Sequence, residues 1–145
     1  MPTNGLTIQS IPEISLDLLW TASVVILGFQ LTSFLWRLTR EIQAAEQGQM
    51  TWFPMSEILN LLAGIVLCLT VFLLPILGVE SLSLPVWGFG LSMILYVFSP
   101  LCLAAHYELF RPQRRRDASY FPSQERYAVS LALVAALVFT ILYFM

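Results

Sequence analysis

Long apolar runs alternate along the chain with short segments that hold its acidic and basic side chains. Four runs contain no Asp, Glu, Lys, Arg or His: 18–36, 58–79, 81–105 and 127–145. A helix of roughly 20 apolar residues crosses the hydrocarbon layer of a bilayer, so each run is long enough to span a membrane. The pattern predicts an all-α integral membrane protein with four transmembrane helices, at about 17–37, 56–77, 84–108 and 126–145.

The composition strengthens this prediction and excludes a soluble globular enzyme. Of the 145 residues, 58% are hydrophobic and 11% are charged, whereas soluble domains carry about 25% charged residues. The four runs occupy most of the chain and leave no segment long enough to fold as a separate aqueous domain. We therefore expect a single transmembrane domain over 1–145.

The basic residues are confined to two segments, and this asymmetry predicts the orientation. All seven are arginines, after the first run and between the third and fourth: Arg37, Arg40, Arg111, Arg114, Arg115, Arg116 and Arg126. The segment before the first run and the turn between the second and third hold only three charges: Glu13, Asp17 and Glu80. Because Lys and Arg are retained on the cytoplasmic side, the loops at about 38–55 and 109–125 are predicted to be cytoplasmic and both termini non-cytoplasmic.

The first run also bears on the type of membrane. No basic region precedes it and no small-residue cleavage site follows it, so we do not expect a cleaved signal peptide. The absence of a targeting peptide and the small exposed mass favour a bacterial inner (plasma) membrane. An organelle-encoded or thylakoid protein would have the same features.

The second arginine segment contains a dense cluster: Arg111, Arg114, Arg115 and Arg116. Juxtamembrane clusters of this kind anchor the topology and attract anionic lipid headgroups, at about 1 kcal/mol per charge. The cluster is therefore a candidate contact for anionic lipid headgroups or for a partner protein. Nucleic acid is not expected as a partner, because the loop lacks aromatic platforms spaced for bases and any element that reads a groove.

A similar motif precedes the second and fourth runs. At an offset of 68 residues, a hydroxyl residue, an aromatic residue, Phe, Pro and Glu recur in order: Thr51, Trp52, Phe53, Pro54 and Glu57, then Ser119, Tyr120, Phe121, Pro122 and Glu125. Aromatic side chains at headgroup depth, Pro near a helix start and Glu beside the positive helix end suit a helix that enters the membrane. The motif favours two tandem helical hairpins related as a parallel repeat. Convergence at two similar helix starts is the alternative explanation.

The same offset relates two stripes of small or weakly polar residues at four-residue spacing. The second span carries Asn60, Gly64 and Cys68 after Ser56, and the fourth carries Ala128, Ala132 and Ala136 after Gln124. Residues four apart share a helix face, and small residues let helices approach closely in lipid. Both stripes are candidate helix-packing faces, within one bundle or against a neighbouring subunit. We therefore expect a homo-oligomer or a larger membrane complex.

Two features inside the spans single out particular residues. Gln30 lies near the middle of the first span, with Thr32 and Ser33 close by. An amide at this depth needs a partner, so these three are candidates for an interhelical hydrogen bond or for the lining of a pore. Pro100 follows Ser99 inside the third span. It should kink the helix and free a carbonyl that a Ser or Thr hydroxyl can satisfy, which makes it a candidate hinge.

The centre of each span lacks the residues that carry most chemistry. No acidic or basic side chain lies there, which argues against a transporter driven by a buried carboxylate. His106 is the only histidine, and Cys68 and Cys102 lie at different depths, so we expect no metal centre, haem or disulfide. The acidic residues near the arginines are expected to form salt bridges. We predict no enzyme activity and no cofactor.

Two functions remain open. The first is a small multi-pass membrane protein that acts as a structural, anchoring or regulatory subunit, through helix packing and its basic cytoplasmic loop. The alternative is a homo-oligomeric ion channel or pore, lined by Gln30 and its neighbours, with Phe72 or Phe98 as an apolar gate. The direction of the Gln30 side chain and the assembly state separate these two functions.

Overall fold

The computed structural model describes residues 15–47, 54–107, 110 and 122–145, and all regular secondary structure in these ranges is helical. The helices are α1, α2, α3 and α4, over Leu16–Glu46, Met55–Ile76, Ser83–His106 and Ser123–Phe144. Each contains a segment long and apolar enough to cross a membrane. The all-helical prediction with four candidate membrane spans is confirmed.

Several sequence predictions fall outside the described residues. These are the arginine cluster Arg111, Arg114, Arg115 and Arg116, together with the motif positions 51–53 and 119–121. The two Pro residues and two Glu residues of the repeated motif lie within the described part of the chain.

Helix α1 extends beyond the span predicted from its apolar run. It starts after Ser15, whose Oγ accepts the backbone N–H of Leu18 at 3.2 Å and so caps one of the free N–H groups of the first turn. It continues past the predicted end at 37 as far as Glu46. Positions 38–46 contain no Gly or Pro, so nothing local ends the helix where the apolar run ends. Much of the predicted loop at 38–55 is therefore helical.

Helix α2 contains a π-helical segment, Cys68–Leu73, in which the Leu74 N–H donates to the Leu69 carbonyl. Pro75 follows and has no N–H to donate to Val71 one turn earlier. The Val71 carbonyl instead accepts the indole N–H of Trp20 on α1, at 2.8 Å. The irregular part of α2 is thus held by a side chain of the neighbouring helix, as buried backbone in lipid requires.

A glycine in the left-handed conformation ends α2. Gly78 has a φ of 84°, its N–H donates to Pro75, and the N–H of Val79 donates to Leu74. These two bonds form a Schellman motif. The chain then turns directly into α3.

Helix α3 lies at the centre of the bundle and packs extensively against α2 and α4, while α1 packs mainly against α2. The buried residues of α3 recur at steps of three or four residues: Pro85, Gly88, Ser92, Leu95, Ser99, Cys102 and Ala105. This spacing is that of a helix seam. Small residues dominate the seam, so neighbouring backbones approach closely.

The interior of the bundle is rich in polar side chains. The buried polar or charged residues are Ser23, Gln30, Ser56, Glu57, Asn60, Thr70, Ser92, Ser99 and Glu125. Large apolar side chains such as Phe29, Leu137 and Leu142 are instead exposed on the outside. An apolar exterior around a small and polar interior is typical of helices whose solvent is lipid.

Candidate functional site

The predicted packing stripe of α2 does not stay on one side of the bundle. Asn60 is buried, Gly64 is half-buried and Cys68 is exposed. At about 100° per residue, each four-residue step turns the face by about 40°, so the stripe rotates out of the interior. Cys68 and Cys102 are both free thiols.

The predicted stripe of α4 lies against α2 and α3. Ala132 is fully buried in an apolar cluster with Leu59, Ala63, Leu95 and Cys102. Ala128 and Ala136 are half-buried and pack against the same cluster. All three alanines therefore contribute to packing within one bundle.

The side chain of Gln30 points into the bundle. It is 2% exposed, and a Cβ placed on Gly64 would lie 3.6 Å from its Oε1. Asn60 Nδ2 donates to the Gln30 backbone carbonyl at 3.3 Å. The three polar candidates of α1 are thus separated: Thr32 is exposed and donates to the Gly28 carbonyl at 2.8 Å, and Ser33 is half-buried.

Pro100 lies on the exposed side of α3, and the helix continues through it. The carbonyl that loses its N–H partner is that of Tyr96, four residues earlier. Ser99 Oγ donates to this carbonyl at 2.9 Å. The hydroxyl compensation predicted from the sequence is present, whereas the proposed hinge motion stays a prediction.

Most of the ionisable side chains that the structure describes lie near the place where α1 and α3 end and α2 and α4 begin, which we call the loop end. Arg37 near the end of the α1 span forms an ion pair with Glu57 in the first turn of α2. The side chain of Glu57 is almost fully buried, and its Oε2 has no hydrogen-bond partner among the described residues.

Glu125 connects three helices at the loop end. It is fully buried in the first turn of α4. Its Oε1 accepts the backbone N–H of Met55, the first residue of α2, at 2.7 Å. Its Oε2 lies 2.8 Å from Nδ1 of His106, at the end of α3. The carboxylate thus caps the positive end of one helix and pairs with the histidine of another.

The sequence predicts salt bridges on this side of the membrane but does not predict the role of Glu125. Glu125 belongs to the repeated motif and lies in the first turn of a predicted helix, and these two features marked it as a residue of interest. Its partners lie 19 and 70 residues away along the chain, so only the packing of α2, α3 and α4 identifies them.

A cavity of about 110 Å³ opens at the loop end between α1, the start of α2 and the end of α3. Its lining combines Arg37, Arg40, Glu41 and Glu57 with aromatic and aliphatic side chains. Tyr107 also lines it and donates its hydroxyl to Glu41 Oε1 at 3.4 Å. Burial and the Glu41 carboxylate raise the pKa of the Tyr107 phenol, so the hydroxyl remains a donor.

Across the described ranges, no three His, Cys, Asp or Glu side chains are placed to hold a metal ion. No protein-family model matches the chain, and no curated protein or solved structure shows significant similarity to it. The function must therefore be inferred from the bundle itself.

Proposed function

We propose that the protein is a structural, anchoring or regulatory subunit of a membrane assembly. The burial of Gln30 against α2 carries this proposal. A pore between several copies needs polar side chains on a free face of each copy. In this bundle the most polar side chain deep in α1 faces inward, and Thr32 is hydrogen-bonded to its own helix.

The close packing of the helices also supports a subunit rather than a conduit. Gly88 approaches Thr70 of α2, and Gly90 lies against Cζ at the tip of the Phe139 ring of α4; a Cβ on either glycine would overlap these side chains. At these two positions α3 lies in direct contact with α2 and with α4, which argues against a water path between the helices. Conduction would require several copies around an axis.

The outer faces of α1 and α4 are the surfaces that this proposal assigns to lipid or to partner helices. On α1 the exposed side chains include Phe29 and Leu35, and on α4 they include Leu137 and Leu142. Faces of this kind bury their apolar side chains either in acyl chains or against another membrane protein. The basic loop would add a contact with anionic headgroups or with a cytoplasmic partner.

We further propose the tandem-hairpin organisation, with both termini outside the cytoplasm of a bacterial inner membrane. In each hairpin, a base in the first helix pairs with a first-turn Glu of the second helix: Arg37 with Glu57, and His106 with Glu125. The two acids are 68 residues apart and the two bases are 69 apart. This near-equivalence supports a duplicated hairpin, and the arginine distribution supports the orientation.

Ion flux in liposomes tests the proposal directly. The full chain should give no flux above that of protein-free liposomes. Gln30→Leu and the exposed control Thr32→Val should behave in the same way, because neither residue lines a path. Flux of the full chain above that of protein-free liposomes would overturn the proposal, and its loss in Gln30→Leu would establish the pore.

A further inference from the structure

We propose that the cavity at the loop end binds the headgroup of a phospholipid with a primary ammonium, such as phosphatidylethanolamine. The proposal concerns a lipid site on the single chain and does not depend on the assembly that the protein joins. The cavity lies beside the ends of the α1 and α3 spans. This is the depth at which lipid headgroups lie.

The charges around the cavity match a zwitterion rather than a simple ion. Two lining residues are cationic, Arg37 and Arg40, and two are anionic, Glu41 and Glu57. A phosphate alone would meet both carboxylates, and an ammonium alone would meet both guanidinium groups. A headgroup that carries one phosphate and one ammonium can pair with both signs.

The lining has unused hydrogen-bonding capacity of both kinds. Glu57 is 4% exposed, and its Oε2 accepts no hydrogen bond from any residue in the described ranges. A buried carboxylate oxygen without a donor is costly, and a primary ammonium can supply that donor. Arg40 is exposed at the same cavity, and a guanidinium binds phosphate oxygens with two parallel hydrogen bonds.

The apolar residues of the lining favour a lipid over soluble phosphoethanolamine. Phe34, Leu38 and Leu103 line the cavity, and so does Trp36, which is 68% exposed toward the surroundings of α1. Acyl chains that leave a bound headgroup would lie along these side chains, and tryptophan is enriched at this depth. A quaternary ammonium such as that of phosphatidylcholine has no N–H to donate, so it would leave Glu57 Oε2 unpaired.

Native mass spectrometry of the full chain in detergent, with lipids of identical acyl chains added in competition, tests the site. We expect phosphatidylethanolamine to bind about tenfold more tightly than phosphatidylcholine, as the loss of one charged hydrogen bond implies. Phosphatidylglycerol should also bind less tightly than phosphatidylethanolamine. Soluble phosphoethanolamine should not displace the lipid at equal concentration.

Arg40 is exposed and Glu41 is half-buried, so both can be replaced without removing the Arg37–Glu57 pair. Arg40→Gln should weaken the binding of both zwitterionic lipids about equally, because both carry the phosphate that Arg40 contacts. Glu41→Gln should reduce the preference for phosphatidylethanolamine over phosphatidylglycerol, because it removes an anion that can pair with the ammonium. Glu46→Gln, at an exposed position of α1 outside the lining, should retain this preference. Equal binding of the two zwitterionic lipids, tighter binding of phosphatidylglycerol, displacement by phosphoethanolamine, or unchanged lipid binding in both lining variants would each overturn the proposal.

Discussion

At the scale of single residues, the close packing of the helices depends on two glycines of α3. Gly88 and Gly90 of α3 lie against Thr70 and Phe139 respectively. Glycine is otherwise a poor helix residue, so its presence on two faces of α3 reflects contact with two different helices. The sequence did not predict either contact, because spacing along one helix does not identify the opposing side chain.

Gly88→Ala should destabilise the protein by about 1–3 kcal/mol, because the added methyl group overlaps Thr70 and forces α2 and α3 apart. Gly28→Ala is the matched control, since nothing lies within 4 Å of the position of its Cβ. Its stability should stay within about 1 kcal/mol of the wild type. Reversible unfolding in mixed micelles measures both. Equal stability of the two variants would contradict the close approach of α2 and α3.

At the scale of helices, apolar length and helix-breaking residues predict most of the architecture. The four spans and the compensation of Pro100 by a neighbouring hydroxyl follow from local sequence alone. The extension of α1 to Glu46 and the π-helical turn of α2 were not predicted. The extension of α1 depends on helix-forming residues that follow the apolar run. The π-helical turn of α2 leaves a carbonyl that is satisfied by the Trp20 side chain of α1.

The packing faces of the helices were only partly predictable. A four-residue stripe is a good guide over one or two turns, as Ser56 and Asn60 show by being buried. Over longer distances the true seam combines three- and four-residue steps, as in α3. The four-residue spacing therefore predicted that Cys68 shares a packing face with Asn60, although Cys68 is exposed on this bundle.

The junction of α2, α3 and α4 at Glu125 should be essential for stability. Glu125→Gln keeps the size of the side chain and removes its charge. The loss should be about 2 kcal/mol, because the charge-assisted bonds to His106 and to the Met55 N–H are weakened in a buried site. Unfolding in mixed micelles is the measurement, with Glu46→Gln at an exposed position as the control. A variant as stable as this control would mean that the carboxylate does not hold the three helices.

At the scale of the whole molecule, the polar side chains face inward and the apolar side chains face outward. The buried Gln30 and Asn60 lie between α1 and α2, and the ion pairs lie at the loop end. Composition predicted the membrane environment, but not which polar groups the bundle would enclose. Which polar side chains face the interior depends on how each helix is rotated about its own axis. The four apolar runs do not determine this rotation.

The proposed orientation predicts which surfaces face the cytoplasm. With the native cysteines replaced by serine, Ser15→Cys should react with a membrane-impermeant maleimide in intact bacterial cells. Glu46→Cys, at the loop end, should react only after the cells are permeabilised, because arginine-bearing loops are retained inside. The reverse labelling pattern would place both termini in the cytoplasm.

The mass of the intact assembly tests the central claim most directly. The full chain would be extracted from its own membrane into nanodiscs and weighed by native mass spectrometry, together with any protein that co-purifies. A subunit of a membrane assembly whose Gln30 faces its own α2 should appear in a fixed ratio with a different protein. A single closed homo-oligomer of four or more copies would contradict the account and favour the pore.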